Sequence, residues 1–230
     1  MPRTSRPTVL LFDVDGTLVS TGGAGRRAME RAFVALRGSA DALTFSFGGM
    51  TDRAIARRGL SAGVDAVTDD EIEELLRSYL AHLAEELPVS KGFVVHEGVL
   101  ELVRAAGARP GVAVGLGTGN VREGARLKLS RAGLYGEFAF GGFGCDHEDR
   151  AELLRVGRDR GAAALGVASS SCRVVVIGDT PRDIAAARAI GAEVLAVATG
   201  GTSAPSLQAC APDALVDTLA HPTVAGFLLR

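Results

Sequence analysis

Cysteine is scarce in this chain of 230 residues: there are three, Cys145, Cys172 and Cys210. They are odd in number and far apart, and no C-x-x-C pair occurs, so neither a disulfide framework nor a zinc site is indicated. A reducing cytoplasm is the simplest setting. No apolar run approaches the roughly 20 residues that a bilayer span needs, and none leads to a membrane partner. The opening segment MPRTSRPTVLLFD is basic at first, but its apolar run is too short for a signal peptide. The formal net charge is only −2, with acids and bases interspersed. The absence of any basic run or stripe argues against a nucleic-acid footprint. Internal repeats and low-complexity segments are missing too. So is the P-loop pattern G-x-x-x-x-G-K-[ST], since GGAGRRA lacks both its lysine and its hydroxyl residue.

Apolar residues, by contrast, make up 47% of the chain, enough for a sizeable core in one large domain or a domain with an insert. They gather in short runs that read as buried strands: 8–14, 111–119, 137–142, 172–179, 193–199 and 213–217. The run at 172–179 is the clearest, with Val174 to Ile177 β-branched throughout. Helical patterns separate the later strands at 97–108, 121–132, 148–164 and 181–190. Strand–helix alternation predicts an α/β, doubly wound parallel sheet, Rossmann-like, with ligands bound at the carboxyl ends of the strands.

Residues 20–90 break the alternation. They show helical signals and no convincing strand. In TDDEIEELLRSYLAHLAEEL the residues Ile72, Leu75, Leu76, Tyr79, Leu80, Leu83 and Leu87 recur at helical spacing, and Thr68 with Glu71 forms a capping box. An all-helical stretch of roughly 70 residues is too long for a crossover connection. It predicts a helical cap at 20–90 inserted into a catalytic core made of 1–19 and 91–230.

The chemistry gathers at predicted strand ends. In LLFDVDGTLV (10–19) an apolar strand ends in two carboxylates, Asp13 and Asp15, separated by one valine. Buried carboxylates are costly unless paired, hydrogen-bonded or bound to a metal. A second acidic group, IGDTPRD, follows the strand at 172–177. If the two strands are neighbours, Asp13 and Asp179 face each other, and oxygen ligands in that number suit magnesium. Thr180-Pro181-Arg182-Asp183 reads as N-cap, N1, N2 and N3 of a helix. Asp183 is therefore placed to stabilise that helix start or to serve the metal directly or through water, and both roles can hold together.

The third element is GLGTGN (115–120). Asn120 stands where a dinucleotide fingerprint needs its last glycine. What remains is Thr118, Gly119 and Asn120 at a strand-to-helix turn, a hydroxyl and backbone N–H groups suited to an anion. Phosphoryl chemistry also wants a protein cation. Lys128 lies roughly 10–15 Å along the following helix and is expected to point away. Arg150, at the start of the next helix after GGFGCDHED, is expected at the strand-end face. Within that loop CDHED could suggest a metal cluster, but adjacent residues on a short loop rarely converge.

Together these motifs resemble the haloacid dehalogenase superfamily, over essentially the whole chain. LLFDVDGTLV looks like its first motif, D-x-D-G-T-[LV]; VGLGTGN resembles the second; GDTPRD resembles the fourth, G-D-x-x-x-D. The third is usually Lys, often followed by Pro; here Arg150 precedes Ala151. The insert matches the class with a small helical cap, as in phosphoglycolate phosphatases and β-phosphoglucomutases. The resemblance implies a magnesium-dependent phosphatase of small phosphorylated metabolites, with Asp13 as nucleophile and Asp15 as general acid and base. Asp13, the Asp15 backbone carbonyl and Asp179 would hold the metal. Thr118, Gly119 and Arg150 would bind the phosphoryl group. A sugar phosphomutase uses the same core and is the alternative. A dehalogenase would not need Asp15, because halide leaves unprotonated. A phosphonate hydrolase would need a cap lysine, and residues 20–90 contain none. The glycine-bearing loops 21–25 and 48–53, and Arg26, Arg27 and Arg53, are candidates to meet the substrate or are ordinary turns and solvated faces.

Overall fold

The computed structural model describes residues 6–63 and 66–230; Met1–Ser5 of the basic opening segment lie outside them. Strand β1 (Thr8–Phe12) is buried at every position. It carries a parallel neighbour on each side and helices on both faces, so it reads as a continuous apolar run and not as an alternation. The chain then makes a short strand β2 (Val19–Thr21) and helices α1 (Ala24–Arg37), α2 (Asp52–Leu60) and α3 (Asp69–Val89). It returns through β3 (Phe93–Val95). Alternation follows: α4 (Val99–Gly107), β4 (Val112–Thr118), α5 (Arg122–Arg131), β5 (Phe140–Phe143), α6 (Arg150–Ala164), β6 (Arg173–Gly178), α7 (Pro181–Ala189), β7 (Glu193–Val197), α8 (Ala204–Gln208), β8 (Ala214–Val216) and α9 (Thr223–Leu228).

The main sheet has the order β5-β4-β1-β6-β7-β8, and its paired neighbours all run parallel. Side chains alternate across it. Leu10, Phe12, Leu116 and Ile177 pack on one face with Val103 and Leu129; Val9, Leu11 and Val176 pack on the other with Leu153, Leu154 and Ile184. The strand order reverses between β4 and β6, on either side of β1, and that reversal opens the crevice where α/β sheets bind ligands.

Helices α1, α2 and α3 have a core of their own, in which Phe33, Ile72, Leu75 and Leu83 are at most 1% exposed. Each such side chain contributes about 1.5–3 kcal/mol by burial. The Thr68–Glu71 capping box is present at the start of α3. One expectation is corrected by the sheet pairing. The stretch 20–90 is not free of strand, because β2 reaches Thr21 and pairs antiparallel with β3, Thr21 opposite Phe93. A three-residue strand carries too little sequence to display period-2 alternation. Just beyond the pair a Cβ on Gly22 would sit 2.6 Å from Gly92 Cα, and Gly22 has φ +60°. Only glycine allows the two connections to touch.

The helical segment is docked onto the sheet's carboxyl edge. Asp52 N–H donates to Gly119 O at 2.8 Å, and the Thr51 hydroxyl donates to Glu148 O at 3.0 Å. Arg57 pairs with Glu148 at 2.9 Å, and Arg182 donates to Gly48 O.

Candidate active site

Asp13 is the first residue past β1, and its N–H donates to Ile177 O of β6 at 2.9 Å. Asp179 follows the end of β6, the parallel neighbour of β1. The expected adjacency is therefore present. Asp13, Asp179 and Asp183 are all buried and each places an oxygen within 4.8 Å of the other two. Gly16 turns the chain with φ +81°, and a Cβ there would lie 2.3 Å from Asp179 Oδ2. The glycine of the D-x-D-G run thus serves both the turn and the close approach of the second acid.

Burial, reinforced by Asp183 and Asp13, pushes the Asp179 carboxyl up to about 8. Arg150 offsets this only in part; among the described residues no cation forms an ion pair with Asp179, and the Thr17 hydroxyl donates to it at 3.4 Å. Asp13 is raised to about 6, chiefly by burial, against the pull of Arg150. Arg150 opens α6, behind an Asp149 N-cap that accepts from Ala151 N at 2.8 Å. Its guanidinium lies 2.9 Å from Asp13 Oδ2 and 2.5 Å from Asp183 Oδ1. Burial opposes its charge, but these two carboxylates outweigh burial and hold its pKa above the ordinary arginine value. The expectation for Arg150 agrees with this geometry. Asp183 also accepts from Thr180 N at 3.0 Å and from the Thr180 hydroxyl at 2.6 Å, which completes the expected capping box.

Thr118 ends β4 fully buried, and its Oγ1 accepts from Asn120 Nδ2 at 2.9 Å. Asn120 Nδ2 also donates to Asp15 Oδ2 at 2.8 Å. The expectation for Lys128 is overturned. It does not point away: its Nζ reaches Asp15 Oδ2 at 2.6 Å and Asn120 Oδ1 at 2.5 Å, and the residue is only 4% exposed. Axial distance alone misled, because helical Cα–Cβ bonds tilt toward the N-terminus and a lysine stem spans a further turn. Burial opposes its charge, but Asp15, Tyr79 and Asp52 outweigh burial and keep its pKa above the ordinary lysine value.

Loops 21–25 and 48–53 both face a cavity of about 660 Å³ that contains Asp13, Asp15, Lys128 and Arg150. Arg26 lines it too, although its guanidinium is held by Glu30, Leu43 O and Phe45 O. Arg27 is bound to Glu86, and Arg53 to Glu73 and Asp69, so these two brace the helices. In the CDHED loop Asp149 caps α6 and Asp146 pairs with Arg160 at 2.6 Å; both acids serve local structure.

Residues 7–191 match the model of a hydrolase family described as haloacid dehalogenase-like hydrolase. The chain belongs to that family. A phosphoglycolate phosphatase of Rhodospirillum rubrum is 29% identical over 209 residues, covering 86% of this chain and 83% of that one. The crystal structure of CbbY from Rhodobacter sphaeroides in complex with phosphate superposes with a TM-score of 0.71 at 20% identity, over 96% of this chain and 99% of that one. A predicted phosphoglycolate phosphatase from Haemophilus somnus 129pt gives 0.68 at 18% identity, over 98% and 99%. At those identities the two structures speak for the fold.

In this haloacid dehalogenase-like hydrolase the donor set fits a hard divalent cation. The three buried groups are carboxylates, with no soft ligand among them. Two of them are held well above the usual carboxylate range, as expected where positive charge is due. Two residues of the cavity escaped sequence reasoning. Asp52, at the start of α2, is buried and raised to about 6 by burial, against the pull of Lys128; its Oδ2 accepts from Val121 N at 2.9 Å. Tyr79, from α3, brings its hydroxyl beside Lys128. Tyr79 reads as one more apolar position of α3, and Asp52 as one polar residue within the glycine-bearing loop 48–53, so neither carries a signal of its own.

Proposed function

We propose that this hydrolase is a magnesium-dependent phosphatase acting on small phosphate monoesters in the cytoplasm, through an aspartyl phosphate on Asp13. The observation that carries the reading is the division of the two opening acids. Asp13 is buried with Asp179, Asp183 and Arg150, while Asp15 is held by Asn120 and Lys128 with its side chain 42% exposed. Each carboxylate meets a cation, but Asp13 is enclosed with Arg150 and two further acids, whereas Asp15, paired with Lys128, stays partly open to the cavity. The phosphoglycolate phosphatase relative supports the same reaction class.

Asp13 Oδ attacks phosphorus, forming the new P–O bond as the ester oxygen departs. Asp15 gives that oxygen a proton. A water then attacks the phosphorus of the aspartyl phosphate and loses its proton to Asp15; inorganic phosphate leaves and the Asp13 carboxylate is restored. Thr118 and the backbone N–H of Gly119 bind phosphoryl oxygens and Arg150 offsets their charge, while Asn120, whose N–H donates to Thr118 Oγ1 at 3.3 Å, holds the turn in place. Asp13, Asp179 and the Asp15 backbone carbonyl would hold magnesium, with Asp183 direct or through water; bound there it supplies Lewis-acid charge. Residues 20–90 act as a cap over a core of 1–19 and 91–230.

A chelator is expected to abolish turnover of a small phosphate ester, with magnesium restoring it and calcium, whose coordination is looser and higher, failing to do so. Full activity in excess chelator would sink the metal reading. The cap and the cavity of about 660 Å³ also predict a size limit, since closure sequesters the reaction from water. Small esters are expected to be turned over far faster than a folded phosphoprotein; comparable rates would show that the helical segment is no cap.

A further inference from the structure

Lys128 is a buried ammonium on the second turn of α5, a costly placement unless each donor is answered. Two answers are direct: Asp15 Oδ2 at 2.6 Å and Asn120 Oδ1 at 2.5 Å. The Tyr79 hydroxyl from α3 and the Lys128 ammonium both lie within 4 Å of where a Cβ on Gly25 would sit, and the buried Asp52 carboxylate from α2 lines the same cavity and favours the charge. Asn120 Nδ2 meanwhile donates to the same Asp15 Oδ2 at 2.8 Å. Lys128, Asn120 and Asp15 therefore close a ring of three contacts. One oxygen of Asp15 accepts two donors, and among the described residues no protein donor reaches Oδ1. The carboxylate is pinned by one oxygen and offers the other to the cavity.

We propose that Lys128 is a positioning residue for Asp15. Its ammonium fixes the rotation of the Asp15 carboxylate so that Oδ1 meets the ester oxygen, and Tyr79 and Asp52 of the helical insert fix Lys128 in turn. The two cations of the site thus have different partners. Arg150 sits on Asp13 and Asp183, whereas Lys128 is committed to Asp15. The orientation of the acid–base group becomes shared work of core and insert. This inference rests on the reading of Asp15 as the proton-transfer group.

The test compares an alkyl phosphate, whose leaving oxygen needs a proton, with an aryl phosphate, which needs it less. It uses Lys128→Met, Lys128→Gln and Asp15→Asn in the full chain with magnesium. Misplacing a reacting group by about 1 Å costs on the order of 10²-fold. Lys128→Met is expected to lower kcat on the alkyl ester by about that factor, with at least a tenfold smaller loss on the aryl ester and KM within about threefold on both. Lys128→Gln, which keeps a donor, recovers part of the alkyl rate. A raised KM with kcat unchanged would make Lys128 a substrate ligand and overturn the proposal, as would equal losses on both esters. Asp15→Asn separates the two levels. If it discriminates between the esters and Lys128→Met does not, the Lys128 assignment alone is wrong; if Asp15→Asn does not discriminate, the reading of Asp15 fails and the inference falls with it. Should Lys128→Met not fold, Tyr79→Phe loses only a hydroxyl and is read by the same ratio: a selective alkyl loss upholds the proposal and an unchanged ratio overturns it.

Discussion

Asp13→Asn is expected to abolish turnover, by about 10⁴-fold or more on the scale of lost covalent nucleophiles, and to leave no phosphoryl adduct. The amide is nearly isosteric, so the fold should survive, but it cannot form the acyl phosphate and it is a poorer partner for Arg150, 2.9 Å away. Asp15→Asn is expected to behave differently. It keeps the backbone carbonyl and the side-chain size but cannot exchange a proton, a function worth about 10²–10⁴-fold. The attacking water then lacks its base, and the aspartyl phosphate is expected to accumulate. Mass spectrometry of the peptide containing Asp13 and Asp15, after quenching with an aryl phosphate present, reads both outcomes. An adduct on Asp13 in the Asp15→Asn protein and none in the Asp13→Asn protein upholds the assignment. An adduct mapped to another residue overturns it.

The second large effect lies in stability. Asp179 has a folded-state value of about 8 against an ordinary 3.8. The folded chain therefore holds this proton more tightly than the unfolded chain does. Stability from this group is complete below the unfolded value and is lost as pH rises toward 8. Asp13 and Asp52, each raised to about 6, act in the same direction over the lower part of that window. Metal-free protein is thus expected to melt at progressively lower temperature from pH 5 to pH 8, with added magnesium flattening the decline. Asp179→Asn removes the charge. It should raise the metal-free Tm at pH 8 by roughly 5 °C, abolish most of the magnesium-induced shift, and eliminate activity. Thermal melts of both proteins with and without magnesium check this. A metal-free Tm that holds constant or climbs from pH 5 to pH 8 in the unsubstituted protein, with no gain in Asp179→Asn, would contradict the assignment. A site residue whose loss stabilises the fold is the mark of a position kept for chemistry.

The sheet was legible because a strand buried on both faces leaves an unbroken apolar run, as at Val174–Ile177, and because the acids follow such runs directly. Asp13, Asp179 and Arg150 sit where local reasoning puts them, since each lies at or just beyond an element boundary that the sequence marks with a glycine, a cap or the end of an apolar run. Lys128, Tyr79 and Asp52 were not legible in the same way. Their place depends on how α3 and α2 lie against α5, and nothing in the local sequence fixes that packing. Tyr79 shows an apolar position of α3, and Lys128 shows a charged residue in a polar helix; only the tertiary arrangement joins them. Strands β2 and β3 were hidden by their brevity.

The pairing of β2 with β3 has a consequence for how such a chain can diversify. The polypeptide leaves the core at Thr21 and re-enters at Phe93, and these two residues stand opposite each other on adjacent antiparallel strands. Antiparallel partners are close enough to be joined by a two-residue hairpin turn. To the six-stranded sheet, everything between them is a single closed excursion: its length, helix count and composition can change while the exit and entry points stay put. One scaffold can therefore exchange the helical segment that faces the cavity without disturbing the carboxylates at the strand ends.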